Sequence, residues 1–364
     1  MGKVQNKIGA LDVEMTHVLE QRDKRGKDIL SLFLLKDGLS HRDKGNLNRS
    51  YSSSSMLSFV RAKLPENYSH WSSTESVHGL ICFHKSDKLI IWNPSTRQFL
   101  VLPALLPSSN DSLLLLGYDP IGCKHKVICI PRKRTCHGCQ VFRLGSDLIS
   151  WSWRRVGANQ AHFPSVYTHG RCVEGVIYYL AFSSVRFRMV VMSFDVRSEK
   201  FDMIELPRNL IGRLLLINYK VRLACFDKNI ERGFWILEDA QKHKWSSQRF
   251  LSPCGGCDLM MSVGTGLNLK GFTHAGEFIY APDKFSQSFY ILLCDPVRNS
   301  CRRFEFKGSA DDESVHSGDE DEDGSMYALH TFPNHIDSLK AFATLCNQAK
   351  RTGSGQIVNL SILD

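Results

Sequence analysis

The chain has 364 residues, of which 43% are hydrophobic and 23% charged, with a formal net charge of +9. These are the values of a packed globular protein, so extensive disorder is excluded for the bulk of the chain, and the length allows one large domain or two ordinary ones. No apolar run approaches the roughly 18 to 20 residues that cross a bilayer as a helix, and the N-terminus lacks the apolar core of a secretion signal, so an intracellular protein of the cytoplasm or nucleus, without a membrane partner, is expected.

Residues 1–55 are polar, basic and weakly patterned, although Ile8, Leu11, Met15, Val18 and Leu19 could line one face of a short helix. A serine-rich run over residues 50–55 reads as a linker, which places the start of the globular domain near Met56. From there the chain is β almost throughout. The stretch Leu89-Ile90-Ile91-Trp92-Asn93-Pro94 reads as a strand running into a tight turn, and Phe99-Leu100-Val101-Leu102-Pro103 as the returning strand and its stop. This predicts a hairpin buried on both faces.

The same module returns down the chain. Asp195 separates an apolar strand from a second Leu-Pro stop, Leu206-Pro207; Asp239 follows Trp235-Ile236-Leu237; Asp295-Pro296 follows Leu292-Leu293-Cys294. Asn93, Pro94, Asp195, Asp239, Asp295 and Pro296 are therefore read as turn marks of a repeat. Gly175 to Asp195 spans 20 residues, and Lys220 to Asp239 and Gly276 to Asp295 span 19 each. Taking Gly145 as the mark of the second group, the intervals between marks are 52, 50, 44 and 56. A period near fifty with about four strands each predicts an all-β fold, a kelch-like β-propeller with about five legible blades. Ring closure needs a further contribution, from the segment before Gly79 or from the strand-like stretch 327–332. Beyond it, residues 334–342 read as a short C-terminal helix capped by Asn334, ahead of a tail over 346–364.

Charge is unevenly spread. Residues 311–323 hold eight carboxylates, and without them the chain would carry +17. Residues 309–325 are too charged to pack and read as a disordered acidic insertion, in which Ser309 and Ser317 each precede a carboxylate by three residues, a pattern acidophilic kinases favour. The basic remainder carries no nucleic-acid-reading motif, so nucleic acid is not expected as a partner.

Twelve cysteines dispersed through a long chain read mostly as reduced core residues. Two Cys-x-x-Cys pairs, Cys136 with Cys139 and Cys254 with Cys257, could form a four-thiolate zinc site, but 114 residues separate them, and independent loop cysteines are the simpler reading. Gly264, Gly266 and Gly271 have the wrong spacing for a nucleotide fingerprint and read as loop glycines. No nucleophile-elbow or zinc-protease motif occurs, so no enzyme and no cofactor is expected. The residues Trp92, Trp151, Trp153, Trp235 and Trp245 fall on strands, where packing between blades is their expected use.

The ordered segments GLICF, IWNPSTRQFLVLP, LGYDPIGCKHKVICI, CVEGVIYYLAF, VMSFDVRSEKFDMIELP, WILEDAQKHKWS, FYILLCDPVRNSCRRFEF and LHTFPNHIDSLK closely resemble the F-box-associated propeller domain of plant F-box proteins, of the kelch-like third type. The resemblance runs from about Met56 to Phe342, which gives a propeller domain over residues 56–345. Such proteins usually begin with a helical F-box of about forty residues, and residues 1–55 show none of its Leu-Pro start, Leu-Pro-x-Lys-Ser centre or Trp-bearing helix. The resemblance implies a protein-interaction module: the substrate-recognition component of a cullin-RING (SCF-type) ubiquitin ligase, whose adaptor and cullin would be partners only through an F-box. The alternatives are a stand-alone binding propeller uncoupled from ubiquitination, a chain whose F-box lies in sequence upstream of Met1, and, in another class, a zinc-dependent enzyme.

Overall fold

A computed structural model describes residues 18–22, 28–34, 56–58, 72–85, 88–96, 98–104, 112–132, 136–144, 152–166, 168–207, 210, 214–227, 233–249, 267–273, 276–282, 288–295, 298, 300–307, 329–332 and 335. Their regular structure is entirely β. The strands are β1 (Val18–Arg22), β2 (Asp28–Leu34) and β3 (Met56–Ser58); then β4 (Ser72–Ser73), β5 (Ile81–Lys85), β6 (Lys88–Asn93) and β7 (Gln98–Val101). Next come β8 (Ser112–Asp119), β9 (Lys124–Pro131), β10 (Cys136–Leu144) and β11 (Arg154–Pro164), then β12 (Arg171–Val173), β13 (Val176–Ser183), β14 (Arg188–Asp195) and β15 (Phe201–Glu205). The chain continues through β16 (Leu214–Tyr219), β17 (Arg222–Asp227), β18 (Gly233–Asp239) and β19 (Lys244–Arg249), then β20 (Leu267–Phe272), β21 (Phe278–Pro282), β22 (Ser288–Asp295), β23 (Ser300–Lys307) and β24 (Leu329–His330).

Sequential antiparallel pairing sorts β4 to β23 into five four-stranded units, the second and third joined into one eight-stranded sheet where the end of β11 pairs with β13. These are the five blades the repeat predicts. The two-residue period of the strands assigns alternate side chains to the two neighbours of each blade. In the second blade Leu114, Leu116, Val127, Cys129 and Phe142 share a core with Cys82, Leu89 and Ile91 of the first. Leu113, Leu115, Ile128, Ile130 and Val141 share another with Ile177, Tyr179 and Phe194 of the third. Third and fourth meet through Leu180, Val191, Leu216 and Cys225, and fourth and fifth through Tyr219, Phe234, Phe272 and Phe278. The second, third and fourth blades thus each bury both faces against their sequence neighbours. At about 1.5 to 3 kcal/mol for each fully buried large apolar side chain, these interfaces are the main favourable term in the fold.

Polar ties reinforce the stacking. The Trp153 indole N–H donates to Pro103 O (3.0 Å) and that of Trp245 to Glu205 O (2.8 Å), each reaching the Leu-Pro stop region of the preceding blade. Lys126 crosses from β9 to the β14–β15 turn, where its ammonium meets Val196 O at 2.5 Å and Glu199 Oε1 at 2.6 Å.

A sixth sheet is composite. In it β2 pairs with β1, in parallel with β3, and antiparallel with β24, so both candidate closing segments, one from each end of the sequence, enter the same sheet. Phe332 then packs edge-on against Phe83 of the first blade, and Ser76 Oγ lies 2.7 Å from His335 Nδ1. Val18 and Leu19 are strand residues rather than part of a helix, and β1 and β2 lie ahead of the boundary read near Met56. The overlooked signal is the apolar run Ile29–Leu35, whose partner β24 comes some three hundred residues later.

Two further readings change. Cys139 belongs to a strand rather than a loop, and Gly271 sits in β20 at a register shift. Cys294 and Cys301, opposed residues of β22 and β23, form a disulfide, whereas Cys82, Cys129, Cys172 and Cys225 are free thiols. The short C-terminal helix, the tail over 346–364, the acidic insertion with Ser309 and Ser317, and Gly145, Trp151, Cys254, Cys257 and Pro296 lie outside the described residues.

Candidate functional site

The turns define two ends of the blades. At one end sit the inner hairpin turns His78-Gly79, Glu174-Gly175 and Lys220-Val221, all with positive φ at both positions, the arrangement that matches strand twist in a two-residue hairpin. Gly175 is held there by φ +84 and by Pro120 Cδ, which an added Cβ would meet at 2.8 Å. The second hairpin turns of the blades lie at the same end. Asn93, Asp195, Asp239 and Asp295 each close a strand, and their Oδ1 atoms accept backbone N–H bonds from Ser95 (3.0 Å), Ser198 (2.6 Å), Lys242 (3.0 Å) and Arg298 (3.0 Å). Pro94 is buried beside Asn93. A short carboxylate or amide bonding its own chain two or three residues on is an Asx turn, which explains the repeated choice of residue.

The opposite end carries the cavity. It has a volume of about 400 Å³ and lies between the inner strands of the first three blades, with Ser73, His84, Ser112 and Arg132 at the strand ends away from those turns and buried Thr168 in the wall. Leu113 to Leu116 of β8 also line it, although their side chains are committed to the two inter-blade cores and β9 occupies one edge of the strand. What β8 offers the cavity is therefore its other, main-chain edge.

Deeper in, Glu75 joins two blades. Its Oε1 accepts the Cys172 backbone N–H, and its Oε2 lies 3.6 Å from Arg171 Nη1. Arg171 continues the link by donating from Nε to Leu216 O of the fourth blade at 2.9 Å. Burial raises the Glu75 carboxyl to about 7 against the pull of Arg171 and the Cys172 N–H. At the mouth Arg132 donates to Ser165 O, while burial, aided by the charge of Arg132, holds His84 down at about 4.

At the same end of the blades the β13–β14 turn presents Val185 and Phe187, the latter 79% exposed at φ 51. Its flanks are fixed by Arg186 and Arg188, which both pair with Glu205. An exposed aromatic side chain on a braced turn is a natural anchor for a partner surface.

The thiols offer no chemistry comparable to this. Burial pushes Cys82 and Cys172 up to about 12 and Cys129 to about 11, so they stay protonated and inert near neutral pH. Cys139 is packed with Ile128 and Val141, and the side chain of Cys136, on the same strand, is not among those described. Among the described residues no group of three His, Cys, Asp or Glu is placed to hold a metal ion. Neither Glu75 nor Arg132 carries a motif, and the first sign of either as a site residue is the meeting of the inner strands.

Fold and cavity together define a β-propeller with a recess lined by polar and charged groups between its inner strands. The chain belongs to the F-box associated β-propeller domain family, which matches residues 37–336. It is similar to the Arabidopsis thaliana protein named "Putative F-box protein At1g47790", with 47% identity over 301 residues covering 81% of this chain and 76% of that one. It is similar also to "F-box protein At5g18160" of the same plant, with 35% identity over 272 residues covering 74% of this chain and 67% of the other.

Proposed function

We propose that this chain is a non-enzymatic protein-interaction module, the kelch-like propeller with which an F-box protein holds its substrate for a cullin-RING ubiquitin ligase. The observation that carries this reading is the family match over residues 37–336, joined to a propeller end that presents both a polar recess and the exposed Phe187 knob. The knob supplies apolar contact area, and the recess supplies directional groups; together they suit a folded or extended polypeptide better than a small metabolite. Loops at one end of a rigid scaffold are where such specificity resides.

A second reading is favoured by one feature. Residues 18–22 and 28–34 form strands within a propeller sheet, where an F-box would require a helical module. Within this stretch the sequence is used for the propeller, so adaptor docking is not read from these residues, and a stand-alone binder is kept as the second reading. Affinity purification of the tagged chain from plant cells separates the two. Recovery of the adaptor and cullin together with a client protein supports the ligase receptor; recovery of clients alone supports the uncoupled binder, and recovery of neither removes both.

A further inference from the structure

The described arginines with substantial burial are matched to carboxylates, with one exception. Arg171 pairs with Glu75 and Arg302 with Glu277, and even half-exposed Arg154, Arg186, Arg188 and Arg222 have acidic partners. Arg132 lines the cavity, its charged form is disfavoured by burial, and among the described residues its guanidinium has the Ser165 carbonyl and no carboxylate. A guanidinium is effectively always charged and presents five donors in a planar fork, so withdrawing it from water without a counter-charge is costly. A group of this kind on a cavity wall, with no carboxylate beside it among the described residues, is suited to meet an anion.

The rest of the wall specifies what carries that anion. The β8 edge offers backbone N–H and C=O groups, which an extended polypeptide main chain can complement by strand addition. Apolar Val166, exposed at the rim, offers a flanking contact. Glu75 occupies the depth and is already engaged by Cys172 and Arg171, so it blocks an anion from going deeper and confines it to the Arg132 end. A volume near 400 Å³ lies within the roughly 300 to 1,000 Å³ usual for binding pockets and suits a few residues rather than a domain.

We propose that this cavity is a binding site for an extended, acidic peptide segment of a partner protein, its main chain running along β8 and one Asp or Glu carboxylate held by Arg132. This rests on the protein-binding reading above and adds the chemistry of what is bound. The carboxylate accepts bidentate hydrogen bonds from the guanidinium, with no covalent step.

The test is a capped hexapeptide library, acetylated and amidated so that no terminal charge contributes, passed over the immobilised full-length chain. Enrichment of a single Asp or Glu position is expected, and binding of the selected peptide should fall roughly tenfold or more in Arg132→Gln. Arg132→Lys, which keeps the charge without the fork, should fall in between. Arg222→Gln removes the same charge at the other end of the propeller and should bind as the parent does. Retention of neutral or basic peptides, no retention at all, equal loss in Arg222→Gln, or an unaffected Arg132→Gln would each overturn the proposal. Client capture from cells by the same parent chain decides the broader reading separately. Should Arg132→Gln not fold, the Lys variant carries the comparison.

Discussion

Glu75 of the first blade and Arg171 of the third stand 3.6 Å apart, and the backbone N–H that Glu75 also accepts, that of Cys172, is 97 residues away in sequence. Their side chains are only 20% and 15% exposed, so each depends on the other and on fixed main-chain groups, the Cys172 N–H for Glu75 and the Leu216 carbonyl for Arg171, for what water would otherwise supply. Removing the cation should cost more than neutralising the anion. Arg171→Met is expected to destabilise by about 3 kcal/mol, leaving a buried carboxylate and an open Leu216 carbonyl, whereas Glu75→Gln, which still accepts from Cys172 and carries no charge to desolvate, should cost less than about 1 kcal/mol. Urea unfolding of the two variants at pH 8 measures the difference, and equal losses would show that the pair does not organise the cavity floor.

Acid should weaken the protein through its histidines. Burial holds His335 down at about 3 and His84 at about 4, and His162 is shifted the same way. Below about 6.5 the unfolded chain takes up protons that the folded chain refuses, so stability falls as pH drops toward 4, by up to about 1.4 kcal/mol per pH unit for each histidine. Glu75 acts in the opposite sense: with its carboxyl raised to about 7, its contribution is full below its unfolded value near 4.5 and is lost as pH rises through 7. The histidines outnumber it, and the net slope between pH 6 and 5 is toward unfolding in acid. His335→Gln should flatten that slope by about 1 kcal/mol per pH unit; an unchanged slope would mean that His335 is protonated in the native state.

Val221 occupies a glycine position. In the sister turns Gly79 and Gly175 take φ 83 and 84, whereas here a β-branched residue is held at φ 61. Left-handed backbone costs a non-glycine residue roughly 1 to 2 kcal/mol, partly offset by the lower chain entropy of valine in the unfolded state. Val221 is 54% exposed, so little packing is lost on its removal. Val221→Gly is therefore expected to stabilise by about 0.5 to 1 kcal/mol in denaturant unfolding, and a destabilised variant would show that its side chain contributes packing the turn needs.

Trp92 tests the blade core. It is 1% exposed, its ring lies 6.2 Å from Phe83, and Phe83 in turn meets Phe332 from the other end of the chain. Trp92→Ala is expected to cost about 3 to 5 kcal/mol by opening a cavity. Trp245→Phe, which keeps most of the packing and loses the hydrogen bond to Glu205 O, should cost about 1 kcal/mol. A melting temperature unchanged by the first substitution would remove the first blade from the core.

Much of the architecture was legible in local sequence because a propeller blade is a local object. The apolar run Leu113–Leu116, the Asx residues at Asn93, Asp195, Asp239 and Asp295 and the near-fifty period all arise between residues close along the chain, where turn chemistry and strand propensity act. Tertiary structure alone decided that β1 and β2 share a sheet with β24, because strand pairing follows hydrogen-bond geometry and leaves no mark of partner identity in the strands themselves. The same holds for the cavity. Arg132 and Glu75 look like any surface charges in sequence; only when the inner strands of three blades converge does one guanidinium line a cavity with no carboxylate partner among the described residues, and one carboxyl find itself buried against Arg171. Local preferences write the blades, and long-range desolvation selects the residues that matter between them.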